Sequence, residues 1–286
     1  MTPPAPLQSQ CPIARASYIW PIDSFQLYLK GGRADPIIIP NAFLTWPAIK
    51  LWHDPNYLKK QTLNGHRIVP VEIGSHYLDS EWTQKLMPFG DFLDHYLIPE
   101  NPKEIGYLAQ HDVFAQIPSL RNDINIPDYC YTAPPSPTGA AANTAGLDKV
   151  QSLDEPLINA WLGPKGTKTP LHTDPYHNIL CQVVGYKYVR LYAPVQTDKL
   201  YPTGTTEAGI NMSNTSQVDV SQFTAQGSTV TEDEKAEETQ LKFPLFREAE
   251  YKEAILGPGE CLYIPLGYWH YVESLTTSFS VSFWFN

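Results

Sequence analysis

The chain is short of positive charge, of paired cysteines and of long apolar runs. Lys and Arg number 20 against 30 Asp and Glu, giving a formal net charge of −10. An acidic chain repels phosphate backbones, which argues against direct nucleic-acid binding and makes a basic peptide the better-matched partner. The four cysteines, Cys11, Cys130, Cys181 and Cys261, are far apart and show no C-x-x-C pairing. That pattern speaks against a zinc site and against a disulfide framework, and free thiols in a reducing compartment are expected. The opening Met1-Thr2-Pro3-Pro4-Ala5-Pro6 lacks a basic stretch followed by an apolar one, so a secretory signal is not expected. No apolar run approaches the roughly 18–20 residues of a transmembrane helix. The sequence reads as soluble, in the nucleus and/or cytoplasm, without an internal repeat.

What the chain has in quantity is proline and aromatics. Its 286 residues include 27 prolines, with 12% aromatic and 42% hydrophobic residues overall. That length suits one large β-rich domain, the core can be sizeable, and the prolines favour loops and strands over a helical bundle. Residues 1–17 read as a partly disordered lead to a single domain over 18–286. Residues 46–53 and 79–96 carry apolar residues at near-helical spacing, the second with Asp79 or Ser80 as a candidate N-cap. Residues 37–39, 67–73 and 104–114 are strand-like. After Pro156 strand signals dominate, at 157–162, 178–192, 254–256, 261–264, 268–272 and 278–285. Residues 133–151 and 203–241 read as loop insertions, the latter carrying the acidic run 232–238, most simply a solvated face. Short strands with turn signals predict a mostly β fold, a double-sheet jelly roll with flanking helices.

The chemistry concentrates at Pro170-Leu171-His172-Thr173-Asp174-Pro175. In a strand, residues i and i+2 share a face, so His172 and Asp174 can reach one ion, and Pro175 then stops the strand. A third ligand on a facing strand would complete two histidines and a carboxylate. That set leaves adjacent positions open, as in non-haem iron(II) oxygenases that use O2. His270, after the Gly257-Pro258-Gly259 turn and flanked by aromatics, is the candidate. The remaining histidines have no such partner at i+2. His53, His66 and His95 sit among polar neighbours, His111 is a candidate for burial, His177 lies close to the site in sequence, and His76 is either a core residue or one near a substrate.

An oxygenase of this kind needs a cosubstrate that chelates the metal. A 2-oxo acid does so, and its far carboxylate then requires a buried cation. Lys187, among Tyr186, Tyr188 and Val189, is the candidate, because an unpaired charge there would be costly. An exposed lysine on a sheet edge is the alternative. Arg190 competes, but at three residues' remove it faces the other way in a regular strand. Thr169 can share the carboxylate, Asn178 can hydrogen-bond near the metal, and Tyr107 offers a hydroxyl that composition alone does not place.

The segments 107–111, 158–164, 170–175, 211–219 and 278–284 together resemble the Jumonji-C (JmjC) oxygenases, within them the small branch called Jumonji-domain protein five or lysine demethylase eight. The resemblance covers roughly residues 15–286. It implies a double-stranded β-helix, iron(II) at His172, Asp174 and His270, and 2-oxoglutarate held by Lys187, Thr169 and Tyr107, with Asn178 near its C1 end and Trp284 on the pocket floor. It also implies a protein or peptide substrate. This branch was first described as histone lysine demethylases and is now regarded as protein arginyl hydroxylases. Glu72 matches the acidic residue that would receive a guanidinium, with Trp82 and Trp161 as aromatic walls, a sensible pairing for a planar cation. N-methyl-lysine demethylation is the competing activity. A cupin-type binding module without chemistry is the competing class, and a zinc hydrolase ranks behind both. Larger family members carry a helical N-terminal extension, so partner recruitment is expected to differ here. A chain ending on a strand is expected to be a monomer.

Overall fold

Phe279, Val281, Phe283 and Phe285 alternate with Ser278, Ser280, Ser282 and Trp284 along the last strand, and that alternation sets the layering of the molecule. The computed structural model describes residues 2–31, 35–74, 82–100, 102–205, 209, 211–224, 239 and 241–286. Strands in chain order are β1 (Ala14–Arg15), β2 (Ile37–Ile39), β3 (Ile68–Ile73), β4 (Thr83–Pro88), β5 (Gly106–His111), β6 (Leu157–Gly163), β7 (Lys168–His172), β8 (His177–Val184), β9 (Lys187–Tyr192), β10 (Tyr251–Leu256), β11 (Cys261–Ile264), β12 (Trp269–Ser274) and β13 (Ser278–Phe285). Among the described residues they form a large sheet ordered β1-β2-β11-β8-β13-β6-β5-β3-β4 and a small one ordered β10-β9-β12-β7. This is the mostly β, cupin-like jelly roll expected from the sequence.

Because β side chains alternate between faces, each sheet buries two sides. The outer face of the large sheet carries Phe279, Val281, Phe283, Phe285, Ile179, Cys181 and Tyr263 into the main core. Helices α1 (Ile22–Lys30), α2 (Pro47–Leu51) and α3 (Pro55–Gln61) pack there. Asp54 caps α3 by accepting from the Asn56 amide, and Pro55 sits at its first position. Buried Asp123 ties α2 to α3, accepting from Trp52 Nε1 at 2.8 Å and Tyr57 Oη at 2.8 Å. Between the sheets Leu180, Leu262 and Ile264 meet Val189, Leu191 and Leu256. The outer face of the small sheet, with Tyr188, Tyr192, Trp269 and Tyr271, is covered by Leu200, Val218, Phe243 and Phe246. The site therefore lies in a thin lumen clamped from both sides.

Several elements depart from the sequence reading. Residues 83–88 are a strand, not the first half of a helix. The helical turn begins only at Phe89, after Pro88, and passes into a π turn over Leu93–Leu97. Asp79 and Ser80, the proposed caps, lie outside the described residues, as do His76 and the acidic run 232–238. The stretch 178–192 is a hairpin rather than one run, folding at Gly185, whose φ is +74°. The lead segment is built into the sheets: β1 pairs with β2, and the Ile13 amide donates to the Glu253 carbonyl at 3.0 Å. Part of 203–241 has a structural task. The Ser216 amide donates to the Leu171 carbonyl and the Thr173 amide to the Asn214 carbonyl, both at 2.8 Å, so residues 214–216 cover the free edge of β7.

Candidate active site

His172 is the last residue of β7, and its cross-strand partner on β12 is His270. Antiparallel pairing alone thus brings the two imidazoles together, with ring centroids 4.1 Å apart and the planes tilted by 53°. Asp174 is not on the strand. It sits in the turn after it, where the Gly267 amide donates to its carbonyl at 3.2 Å. Its carboxylate reaches both rings, with Oδ1 3.8 Å from His172 Nε2 and Oδ2 3.4 Å from His270 Nε2. The ligand atoms of the three residues all lie within 4.8 Å of one another, and this is the cluster of that kind among the described residues.

The tautomers are set by the backbone. His172 Nδ1 lies 2.8 Å from the Pro170 carbonyl and His270 Nδ1 3.0 Å from the Tyr268 carbonyl. Carbonyls only accept, so each Nδ1 carries a proton and each Nε2 is directed at the shared space, the orientation metal-ligating histidines adopt. Burial, then the neighbouring His270, pulls the His172 pKa down from 6.5 to about 4, which keeps it neutral at physiological pH. Burial alone would raise the Asp174 pKa, but the hydrogen bond from His270 and the adjacent imidazoles bring it below 3.8. Two imidazoles and a carboxylate, each side chain at most 14% exposed, are the donor set a divalent cation of borderline softness requires.

A narrow cavity of about 30 Å³ adjoins the triad, lined also by Tyr107, Trp161, Thr169, Asn178, Leu180, Lys187, Ile264 and Val272. Lys187, first residue of β9, is 2% exposed. It shares the inward face with Val189 and Leu191, while Arg190 turns outward onto Glu253 and over the ring of Tyr251. Among the described residues no carboxylate lies within 4 Å of the Lys187 ammonium; it donates instead to Tyr107 Oη at 3.4 Å. Burial drives its pKa from 10.5 to about 7. Thr169 is in hydrogen-bonding reach of Tyr107, whose own pKa burial raises. Asn178 Oδ1 is buried without a partner. A buried cation lacking its anion and an orphaned acceptor are what an anionic, chelating cosubstrate would satisfy.

The family model described as cupin-like domain matches residues 29–286. The chain belongs to that family. It is similar to Lysine-specific demethylase 8 of Xenopus tropicalis, 43% identical over 251 residues, covering 88% of this chain and 48% of that protein. JmjC domain-containing protein D of Dictyostelium discoideum is 44% identical over 255 residues, 87% of this chain and 51% of its own. Lysine-specific demethylase JMJ30 of Arabidopsis thaliana is 44% identical over 260 residues, 91% of this chain and 51% of its own. The chain spans about half the length of these curated relatives. The JmjC resemblance read from the motifs is borne out.

Of the residues that the resemblance implied for a substrate, Trp161 lines the cavity, and Glu72 and Trp82 do not. Glu72 on β3 is the cross-strand partner of Tyr107. It accepts from Trp82 Nε1 at 3.3 Å, and its pKa is raised by burial, partly offset by that hydrogen bond. The Trp161 ring lies 6.1 Å from that of Tyr107 and its Nε1 donates to Ser282 Oγ at 2.9 Å. Trp284 is not among the cavity-lining side chains; it stacks on Tyr176 at 5.3 Å, its Nε1 buried and unpartnered. His177 is buried and hydrogen-bonds Tyr263 Oη at 2.8 Å, away from the triad, and His111 is half-buried beside Gln116. The sequence reading passed over Leu180, Ile264 and Val272, apolar residues that line the same cavity as Lys187 and the triad. Their alternation with outward-facing neighbours was visible, but nothing in it separated a lumen wall from a core.

Proposed function

We propose that the domain is an iron(II)- and 2-oxoglutarate-dependent oxygenase that hydroxylates an arginine side chain of a protein or peptide. The observation that carries this reading is a buried lysine, without a counter-anion among the described residues, in one cavity with a His-Asp-His cluster. His172, Asp174 and His270 would hold the metal, and Lys187, Tyr107 and Thr169 the far carboxylate of 2-oxoglutarate. Iron and 2-oxoglutarate, when bound, supply oxygen activation; the protein supplies geometry and shielding. The two Nδ1–H···O=C bonds fix the ligand rings before the metal arrives. The ionised Asp174 would offset one of the two charges of a bound divalent ion, and the positive charge left over would attract the anionic cosubstrate. Protonated Lys187 orients that anion, and Tyr107 and Thr169 add donors that need not move. Leu180, Ile264 and Val272 exclude water from between them.

Arginine is favoured by Glu72, half-buried with Trp82 on one oxygen, while its other oxygen has no partner among the described residues and suits a guanidinium. The second reading, N-methyl-lysine demethylation, has in its favour that two of the relatives are called lysine-specific demethylases. Both are tested by one assay, turnover with Fe(II), 2-oxoglutarate and arginine- or methyl-lysine-bearing peptides, read by succinate formation and by mass spectrometry. Gain of one oxygen on arginine supports hydroxylation, and loss of a methyl group supports demethylation. Succinate formed equally well by His172→Ala and Asp174→Ala would sink both.

A further inference from the structure

The large sheet extends further than the small one. β7 is the small sheet's edge, and Thr169 on it already meets Tyr107 on β5. The large-sheet order then continues through β3 to β4, and among the described residues no small-sheet strand beyond β7 covers them. On β3 the residues alternate: Val69, Val71 and Ile73 enter the main core, while Ile68, Pro70 and Glu72 stay on the opposite face. Their partners across the ladder, Pro88, Leu86 and Gln84, share that face. It is an exposed ledge continuous with the cavity, acidic at the inner end and apolar at the outer. Leu86 is 76% exposed and Ile68 46%. Two large aliphatic side chains held open on a rigid ladder beside an active-site mouth mark a contact surface rather than scattered surface polarity.

We propose that this ledge is a specificity subsite for the peptide substrate: an extended segment lies along β3–β4, its reacting cationic residue at Glu72 and a large apolar residue on Leu86 and Ile68. The proposal rests on the substrate reading above and adds to it. The spacing follows from strand geometry. Successive residues advance about 3.3 Å, so Pro70–Leu86 lies roughly 7 Å and Ile68 roughly 13 Å from Glu72. In an extended peptide, side chains two and four positions from the reacting residue reach those distances on the same face, and those at one and three point away. The ledge runs from Glu72 in one direction, toward the start of β3, so the preference falls on one side of the reacting residue.

The test uses the intact protein and labelled peptides with a central arginine, in a Gly/Ser background, carrying a single leucine walked from four positions before to four after. Binding by fluorescence anisotropy and turnover by mass spectrometry are both read. The expected result is that leucine at two or four positions, on one side, tightens binding and lowers KM about tenfold over the leucine-free peptide. Leucine at odd positions or on the other side has no effect. In the double variant Ile68→Ser, Leu86→Ser the gain disappears while the leucine-free peptide binds and turns over as before, since both side chains are exposed and neither supports the core. A flat response across leucine positions, or a gain that survives the double variant, overturns the ledge but leaves the oxygenase reading standing. Failure of every arginine peptide to bind or gain oxygen overturns both. Far-ultraviolet circular dichroism and the melting temperature of the double variant, expected unchanged, separate a lost subsite from a lost fold.

Discussion

Replacing Lys187 by methionine should make the protein more stable and unable to respond to 2-oxoglutarate. The ammonium is 2% exposed, and its pKa falls from 10.5 to about 7 through burial. At about 1.4 kcal/mol for each tenfold change in acidity, the folded state at pH 7 carries a desolvation cost on the order of 4 kcal/mol. Methionine fills similar volume without charge. The Tyr107 hydroxyl loses a weak partner, which costs about 1 kcal/mol. The net gain, on the order of 3 kcal/mol, corresponds to a melting temperature higher by several degrees, at about 2–4 °C per kcal/mol for a chain near this size. The sign can be checked against pH. The folded pKa lies below the unfolded one, so the unfolded chain binds more protons between about 7 and 10.5, and wild-type stability rises with pH across that window. The advantage of Lys187→Met should therefore shrink from pH 7 upward. With Mn(II) present, 2-oxoglutarate at a hundredfold excess over its Kd should stabilise the wild type by about 2.7 kcal/mol and leave the variant unmoved. A variant that melts lower than wild type in the absence of cosubstrate, or one that 2-oxoglutarate still stabilises, would refute the reasoning.

Other outcomes follow from the same geometry. His270→Ala should abolish Mn(II)-induced stabilisation in a thermal melt while lowering the metal-free melting temperature little, because the site then loses a donor rather than a core residue. Gly185→Ala should destabilise by at least about 3 kcal/mol in urea unfolding: φ is +74°, and a Cβ there would sit 2.0 Å from the Thr277 carbonyl oxygen. His177 has its pKa lowered from 6.5 to about 4 by burial, so the unfolded state binds more protons between those values. Stability should fall as pH drops from about 6.5 to 4, by at most about 3 kcal/mol from this residue, and His177→Phe should flatten that limb of the stability curve.

How much of this was legible beforehand depended on the physical range of each signal. The ligand pair was legible because a separation of two residues keeps Asp174 close to His172, even though the strand ends at His172, two residues earlier than its sequence suggested. Lys187 and Arg190 were separable for the same reason: three residues apart, they face opposite sides of β9, one to the lumen and one to Glu253. The strand Thr83–Pro88 was not legible. It is the outermost strand, exposed on both faces, so burial imposes no period of two, and Trp82, Leu86 and Met87 happen to continue the helical spacing of Phe92 and Leu93. Its identity comes from pairing with β3, a tertiary effect. The short α3 was missed although Asp54-Pro55 is a start signal, because its apolar stripe is only Tyr57 and Leu58. The role of 214–216 in closing the β7 edge is a backbone contact and leaves no trace in side-chain pattern.

The central claim is that one cavity holds a metal and a 2-oxo acid together. The most direct test is an anaerobic titration of the Fe(II)-loaded protein with 2-oxoglutarate, followed by the visible charge-transfer absorption that arises when a 2-oxo acid chelates iron(II). The account predicts a band that saturates at one cosubstrate per chain, is absent in His172→Ala, and requires far higher 2-oxoglutarate in Lys187→Met. A wild-type protein that gives no band, or a His172→Ala variant that gives the same band, would contradict it.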